Sequence, residues 1–103
     1  MTNAEIGQML AESGLPVFYD HAKKGTTLPY ITYRTESDNF FADSKTYQDV
    51  KSIRAVLYTE LKSPTLEAAI EGIFDSNSIP WNRDEEYNTE MEVFMEIYES
   101  EVI

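Results

Sequence analysis

The chain has no cysteine, which excludes disulfides, a thiolate nucleophile and sulfur-ligated zinc. Its four glycines stand singly at positions 7, 14, 25 and 72, so no glycine-rich phosphate loop can form. The one histidine, His21, follows Asp20 in a polar stretch, and no G-x-S-x-G turn offers a nucleophile to pair with it. His21 therefore reads as a solvated side chain. No apolar run approaches the roughly 20 residues that a membrane span needs. The start, Met-Thr-Asn-Ala-Glu-Ile, lacks the basic and apolar regions of a signal peptide. Bases are scarce as well: 8 Lys and Arg against 19 Asp and Glu give a net charge of −11. Such a field repels nucleic acid and anionic lipid alike. The expectation from these absences is a soluble intracellular protein with no membrane partner.

What is present suffices for one modest core. Hydrophobic residues make up 42% of the 103 positions and aromatics 13%, which suits a single domain over 1–103. Thr2 and Glu5 fit a capping box, and Ile6, Met9 and Leu10 recur at helical spacing until Ser13-Gly14. Leu15–Tyr19 and Pro29–Arg34 read as strands, and residues 36–45 as a polar loop or hairpin tip. A long strand runs from Thr46 to about Glu60, with Ile53, Ala55 and Leu57 on one face and Arg54, Val56 and Tyr58 on the other. Ser63-Pro64 opens a second helix, in which Leu66, Ala69, Ile70, Ile73 and Phe74 form an apolar stripe. Ile79–Arg83 reads as a fourth strand, interrupted by Asp84–Glu86. The expected fold class is α+β: a mostly antiparallel sheet of about five strands, with two helices packed on one face.

Nothing along this path assembles into a catalytic constellation. Asp84, Glu85 and Glu86 are hard-metal ligand types, but consecutive residues of an extended segment alternate faces, and the EF-hand glycine is missing. They read as a solvated turn. Asp43-x-Lys45 imitates only the tail of a nuclease motif and is rejected. The expectation is no catalytic residue, no metal and no cofactor, and hence no enzyme; an unfamiliar carboxylate site would be the way back to catalysis.

Features suited to contact are better developed. The closing segment Glu90–Glu99 alternates strictly: Met91, Val93, Met95 and Ile97 on a core face, Glu90, Glu92, Phe94, Glu96 and Tyr98 on the other. That second face couples carboxylates to aromatics and is costly unless water or a basic partner meets it. Phe40 and Phe41 sit side by side in the polar loop, equally ready to fold back on the sheet or to enter a partner. Charge is also segregated. Seven of the eight bases lie between Lys23 and Lys62, and eight acids with no base lie in 84–101. Separated charge of this kind allows copies of one chain to pair head to tail and close into rings. On that reading Lys51 and Arg54 meet Glu92 and Glu96, beside Phe94 and Tyr98, of a neighbour. Lone solvation of both regions is the plain alternative. An acidic module meeting a basic partner (inhibitor, immunity or DNA-mimic type) fits the same charge.

The order of elements, with "GLPVFYD", "TLPYITYR", the "SPTLEAAIEGIF" helix and the closing "MEVFMEIYE" strand, resembles the small tail-completion proteins of long-tailed bacteriophages, also called tail-terminator or tail-to-head joining proteins. The resemblance runs over nearly the whole chain. It implies a non-catalytic virion protein of the neck, made in the host cytoplasm. Such proteins form a homo-oligomer, a hexameric ring between the tail tube protein and the head connector protein, around a channel that DNA passes without specific binding. In that setting Asp84, Glu85 and Glu86 become candidates for an acidic lumen that keeps DNA from sticking.

Overall fold

A computed structural model describes residues 1–39 and 49–102, with side-chain environments for 1–36 and 51–102. The expected loop contacts Phe40 and Phe41 lie outside the described residues. Helix α1 (Asn3–Ala11) begins as its sequence dictates. The Thr2 hydroxyl accepts the Glu5 amide at 3.1 Å, and the Glu5 carboxylate accepts the Thr2 amide at 2.9 Å, which satisfies two otherwise free donors. Gly14, at φ +84°, then turns the chain into β1 (Val17–Tyr19). Next come β2 (Tyr30–Asn39), β3 (Asp49–Thr59), α2 (Pro64–Ser76), β4 (Trp81–Asn88) and β5 (Val93–Val102). The sheet order is β1-β2-β3-β5-β4, antiparallel except for the parallel β1–β2 pair.

Cross-strand register explains which residues share a face. Tyr33, Ala55, Tyr98 and Arg83 form one transverse row, and Ile31, Leu57, Glu96 and Glu85 another. Both rows face the helices. Ile31, Tyr33, Ile53, Ala55, Leu57 and Tyr98 pack against Ile6, Met9 and Leu10 of α1 and Ile70, Ile73 and Phe74 of α2. The expected α+β architecture is present, with both helices on one face.

Several local expectations are corrected, among them the loop expected from residue 36, since β2 continues through Asn39. First, β4 runs unbroken through Asp84, Glu85 and Glu86, which are therefore strand rather than turn. An edge strand can carry them because one of its sides is free, and charge there discourages further pairing. Second, β5 starts at Val93, not at Glu90. The Asn88 side chain accepts the amides of Glu90 and Met91, both at 3.0 Å, and Glu92 sits at φ +55°; this turn chemistry takes the first residues out of the strand. Third, the faces of β5 are exchanged. Phe94, Glu96 and Tyr98 point to the helix-covered core. Val93 and Ile97 are buried on the opposite face with Thr32 and Val56, where Tyr30 stacks on Tyr58 at 4.8 Å. Along α2 the stripe also shifts, because Ala69 is exposed and Glu67 is buried in its stead.

The two helical glycines separate close packing from propensity. A methyl on Gly7 would lie 2.7 Å from the Tyr33 hydroxyl, which donates to the Asn3 carbonyl at 2.9 Å. Gly72 meets nothing within 4 Å. Gly72→Ala is expected to stabilise the fold by roughly 0.5–1 kcal/mol. Gly7→Ala is expected to destabilise it by about 1 kcal/mol or more despite the same gain in propensity. Urea melts of the two variants check the opposite signs.

Candidate functional site: a carboxylate cluster under helix α2

The acidic part of the sequence owns two bases, Lys62 and Arg83, and the fold brings both to one place. Ser63 caps α2 by accepting the Leu66 amide, which puts Lys62 immediately before the helix and Glu67 and Glu71 on its sheet-facing side. β4 supplies Arg83 and Glu85 at alternate positions on the same face. β5 supplies Glu96 directly opposite Glu85, and Tyr98 directly opposite Arg83.

Lys62 Nζ reaches three carboxylates: Glu67 Oε2 at 3.2 Å, Glu96 Oε1 at 3.3 Å, and Glu85 Oε1 in close contact. Arg83 Nη1 donates to Glu67 Oε1 at 2.8 Å and to Glu71 Oε2 at 2.9 Å. The Tyr98 hydroxyl donates to Glu71 Oε2 at 3.0 Å, and the ring stands edge-on to Trp81. Trp81 is anchored in turn by its indole N–H, 2.9 Å from Asp75 Oδ1. Glu67 and Glu96 are 4% and 1% exposed, and one oxygen of Glu96, Oε2, is buried without a hydrogen-bond partner. Arg83 Nε stands 3.9 Å from that oxygen, too far for a hydrogen bond.

Four carboxylates against two cations leave the cluster two negative charges in excess, which governs its protonation. Burial pushes the Glu96 carboxyl up to about 7, reinforced by hydrogen bonding with Glu85 and by the charge of Glu67. Glu85 moves the other way, lowered first by its hydrogen bond with Glu96 and then by Lys62. The pair thus holds its proton on the buried member. Hydrogen bonds to Glu85 and Glu67 push Lys62 upward, which holds it as an ammonium and removes it as a nucleophile. Burial pushes the Tyr98 hydroxyl upward, so it stays a donor. Such a set can take up a proton or hold a cation. Oxygens of Glu67, Glu85 and Glu96 lie within 4.8 Å of one another, the donor type that suits a hard metal ion.

The residues singled out from sequence fall in different places. Glu96 and Tyr98 are inside the chain, 1% and 0% exposed, and so are not available to a neighbour in this conformation; Lys62 and Arg83 reach Glu96 from within. Phe94 is half-buried against Tyr87, with ring centres 4.8 Å apart. Glu92 is exposed in the β4–β5 turn. Lys51 donates to the Met1 carbonyl at 3.0 Å and tethers the start of the chain, while Arg54 pairs at 3.5 Å with Glu99, its direct partner across β3 and β5. Of the acids considered for a lumen, Glu85 belongs to the cluster, whereas Asp84 and Glu86 lie on the other face of β4. His21 is exposed beside Asp20. The cluster itself was not anticipated. Its signal was the two isolated bases of the acidic half, with Glu67 and Glu71 one helical turn apart.

The uncovered sheet face carries charge of both signs. Arg34 on β2 and Arg54 on β3 stand in one row with Glu99 on β5 and Asn82 on β4, and Asp84 and Glu86 continue the acidic side. Among the described residues no helix is long and apolar enough to cross a membrane.

No protein-family model matches the chain, and no curated protein matches it. Seven chains of solved structures do match. One is a chain from the virion of a native gene transfer agent particle, which is 14% identical with a TM-score of 0.59. The match covers 90% of this chain and 83% of that one. At this identity the likeness is one of fold.

The buried carboxyl has a measurable consequence. Its proton is held up to about pH 7 in the fold but only to about 4.5 in the unfolded chain. Between those values the folded state binds more protons, so this group's contribution to stability is lost as pH rises from about 4.5 to about 7. Glu85 and Glu5, both lowered, act only at the acid end of that range. In chelator-containing buffer, the melting temperature is expected to fall between pH 5 and 7.5, and the fall to flatten in Glu96→Gln. Parallel profiles for the two proteins would show that Glu96 does not titrate in this window.

Proposed function

We propose that this chain is a structural component of a phage-type virion, one that closes the tail tube and joins it to the head connector as a ring of identical copies. The observation that carries the proposal is the fold likeness over 90% of the chain to a chain from a gene transfer agent virion. The resemblance of the element order to tail-completion proteins supports the same reading.

In this proposal the uncovered sheet face is the surface between copies. It presents exposed cations, Arg34 and Arg54, on its β2–β3 half and exposed acids, Asp84, Glu86, Glu99 and Glu101, on its β4–β5 half. Adjacent copies can set one half against the other, and such head-to-tail contacts close into rings. Glu92 in the β4–β5 turn remains a candidate contact, and Lys51 acts mainly by fixing the N-terminus. The net charge of −11 leaves DNA free to pass without specific binding. No catalytic step is part of this role, and no metal is needed for it.

The mass of the full chain against concentration and salt tests the reading. An oligomer is expected, weakening as salt rises, and Arg54→Glu is expected to shift the midpoint of assembly at least several-fold upward in concentration. A monomer at every concentration, in isolation and with tail tube protein added, would overturn it. An Arg54→Glu oligomer as stable as the parent would remove this face from the interface.

A further inference from the structure

The cluster under α2 is better matched to a divalent cation than to the ammonium it contains. Glu67, Glu85 and Glu96 come from a helix and two strands, and each offers an oxygen within 4.8 Å of the other two. Oxygens bound to one calcium ion at about 2.3–2.6 Å can be up to roughly 4.6–5.2 Å apart. Around magnesium, at about 2.0–2.1 Å, the limit is roughly 4.2 Å. Three oxygens around one ion stand closer than that pairwise limit, so a modest rotation of the partly exposed Glu85 side chain closes the set on the larger ion more readily than on the smaller.

Two independent observations favour a ligand here. Glu96 is 1% exposed, yet its Oε2 has no hydrogen-bond partner, so one buried oxygen of the cluster is left unsatisfied. Glu85 and Glu96 are direct cross-strand partners, so two strands bring their carboxyl groups to the same place. The position between the carboxylates is taken by Lys62, whose side chain is 45% exposed and comes from the loop before α2. It can swing into water while the strands stay in place. Arg83 remains on Glu67 and Glu71 and keeps the helix attached.

We propose that Glu67, Glu85 and Glu96 form a binding site for a calcium-sized divalent cation, which takes the place of the Lys62 ammonium between β4, β5 and α2. With Lys62 displaced, the ion raises the cluster's positive charge by one, to three against four carboxylates. It also ties the edge strand β4 to the helix layer, as a staple independent of any partner.

The test is thermal unfolding of the full chain with added calcium chloride, beside magnesium chloride and sodium chloride at matched ionic strength. Terbium luminescence, sensitised by Tyr98 and Trp81, reports occupancy directly. Calcium is expected to raise the melting temperature by several degrees more than either control salt. Glu85→Gln, a change at an exposed edge position, is expected to abolish the difference, while Glu99→Gln on the other face retains it. Lys62→Ala is expected to bind terbium several-fold more tightly than the parent. An equal response to all three salts, or a calcium response that survives Glu85→Gln, would overturn the site. Binding seen only in Lys62→Ala would overturn it too, because lysine would then be the cation the site takes.

Discussion

The structure depends on how a nearly dry carboxylate is tolerated at the heart of the sheet. Glu96 sits in the row Ile31–Leu57–Glu96–Glu85, between an aliphatic core and an edge strand. An ionised carboxylate there without partners would cost several kcal/mol. It is accommodated because Lys62 and Arg83 approach from two directions and because its proton is retained to near neutrality. The same two bases fasten α2 to β4 through Glu67, Glu71 and Glu85. Charge is thus spent on internal attachment in the half of the chain where it looked most outward-facing.

That arrangement sets what the remaining surface can do. With Glu96, Tyr98, Glu67 and Glu85 engaged inside, the helix side of the sheet is closed. The outer face is left with a small buried patch of Thr32, Val56, Val93 and Ile97, ringed by aromatics and by charges of both signs. In the proposed role this face meets another copy, while its acids repel the phosphates of DNA. The likeness to a gene transfer agent virion chain is one of fold.

Much of the fold was legible in the sequence, and the parts that were not share a cause. Capping at Thr2 and Ser63 and the faces of β3 follow from local chemistry, and each is found; the α2 stripe is found at Ile70, Ile73 and Phe74 but not at Ala69. Alternation in β5 was also legible, but a period of two does not say which of two faces the helices cover. Both faces of β5 bury side chains, so hydrophobicity alone could not choose between them. The choice depends on Lys62 and Arg83 reaching Glu96 from distant positions. The acids of β4 were misread for a related reason: turn-forming composition was overridden by pairing along β5, while the actual turn is built by Asn88 and Glu92.

The central claim is that Arg83 and Glu67 form one compensated unit that holds helix and sheet together. A double-mutant cycle of Arg83→Met and Glu67→Gln, read by urea unfolding of the full chain, tests it most directly. Each single change is expected to cost about 2–4 kcal/mol by stranding its partner, and the double variant well under the sum, with a coupling of about 1 kcal/mol or more. Additive losses, or single losses below about 0.5 kcal/mol as at ordinary surface sites, would contradict the account.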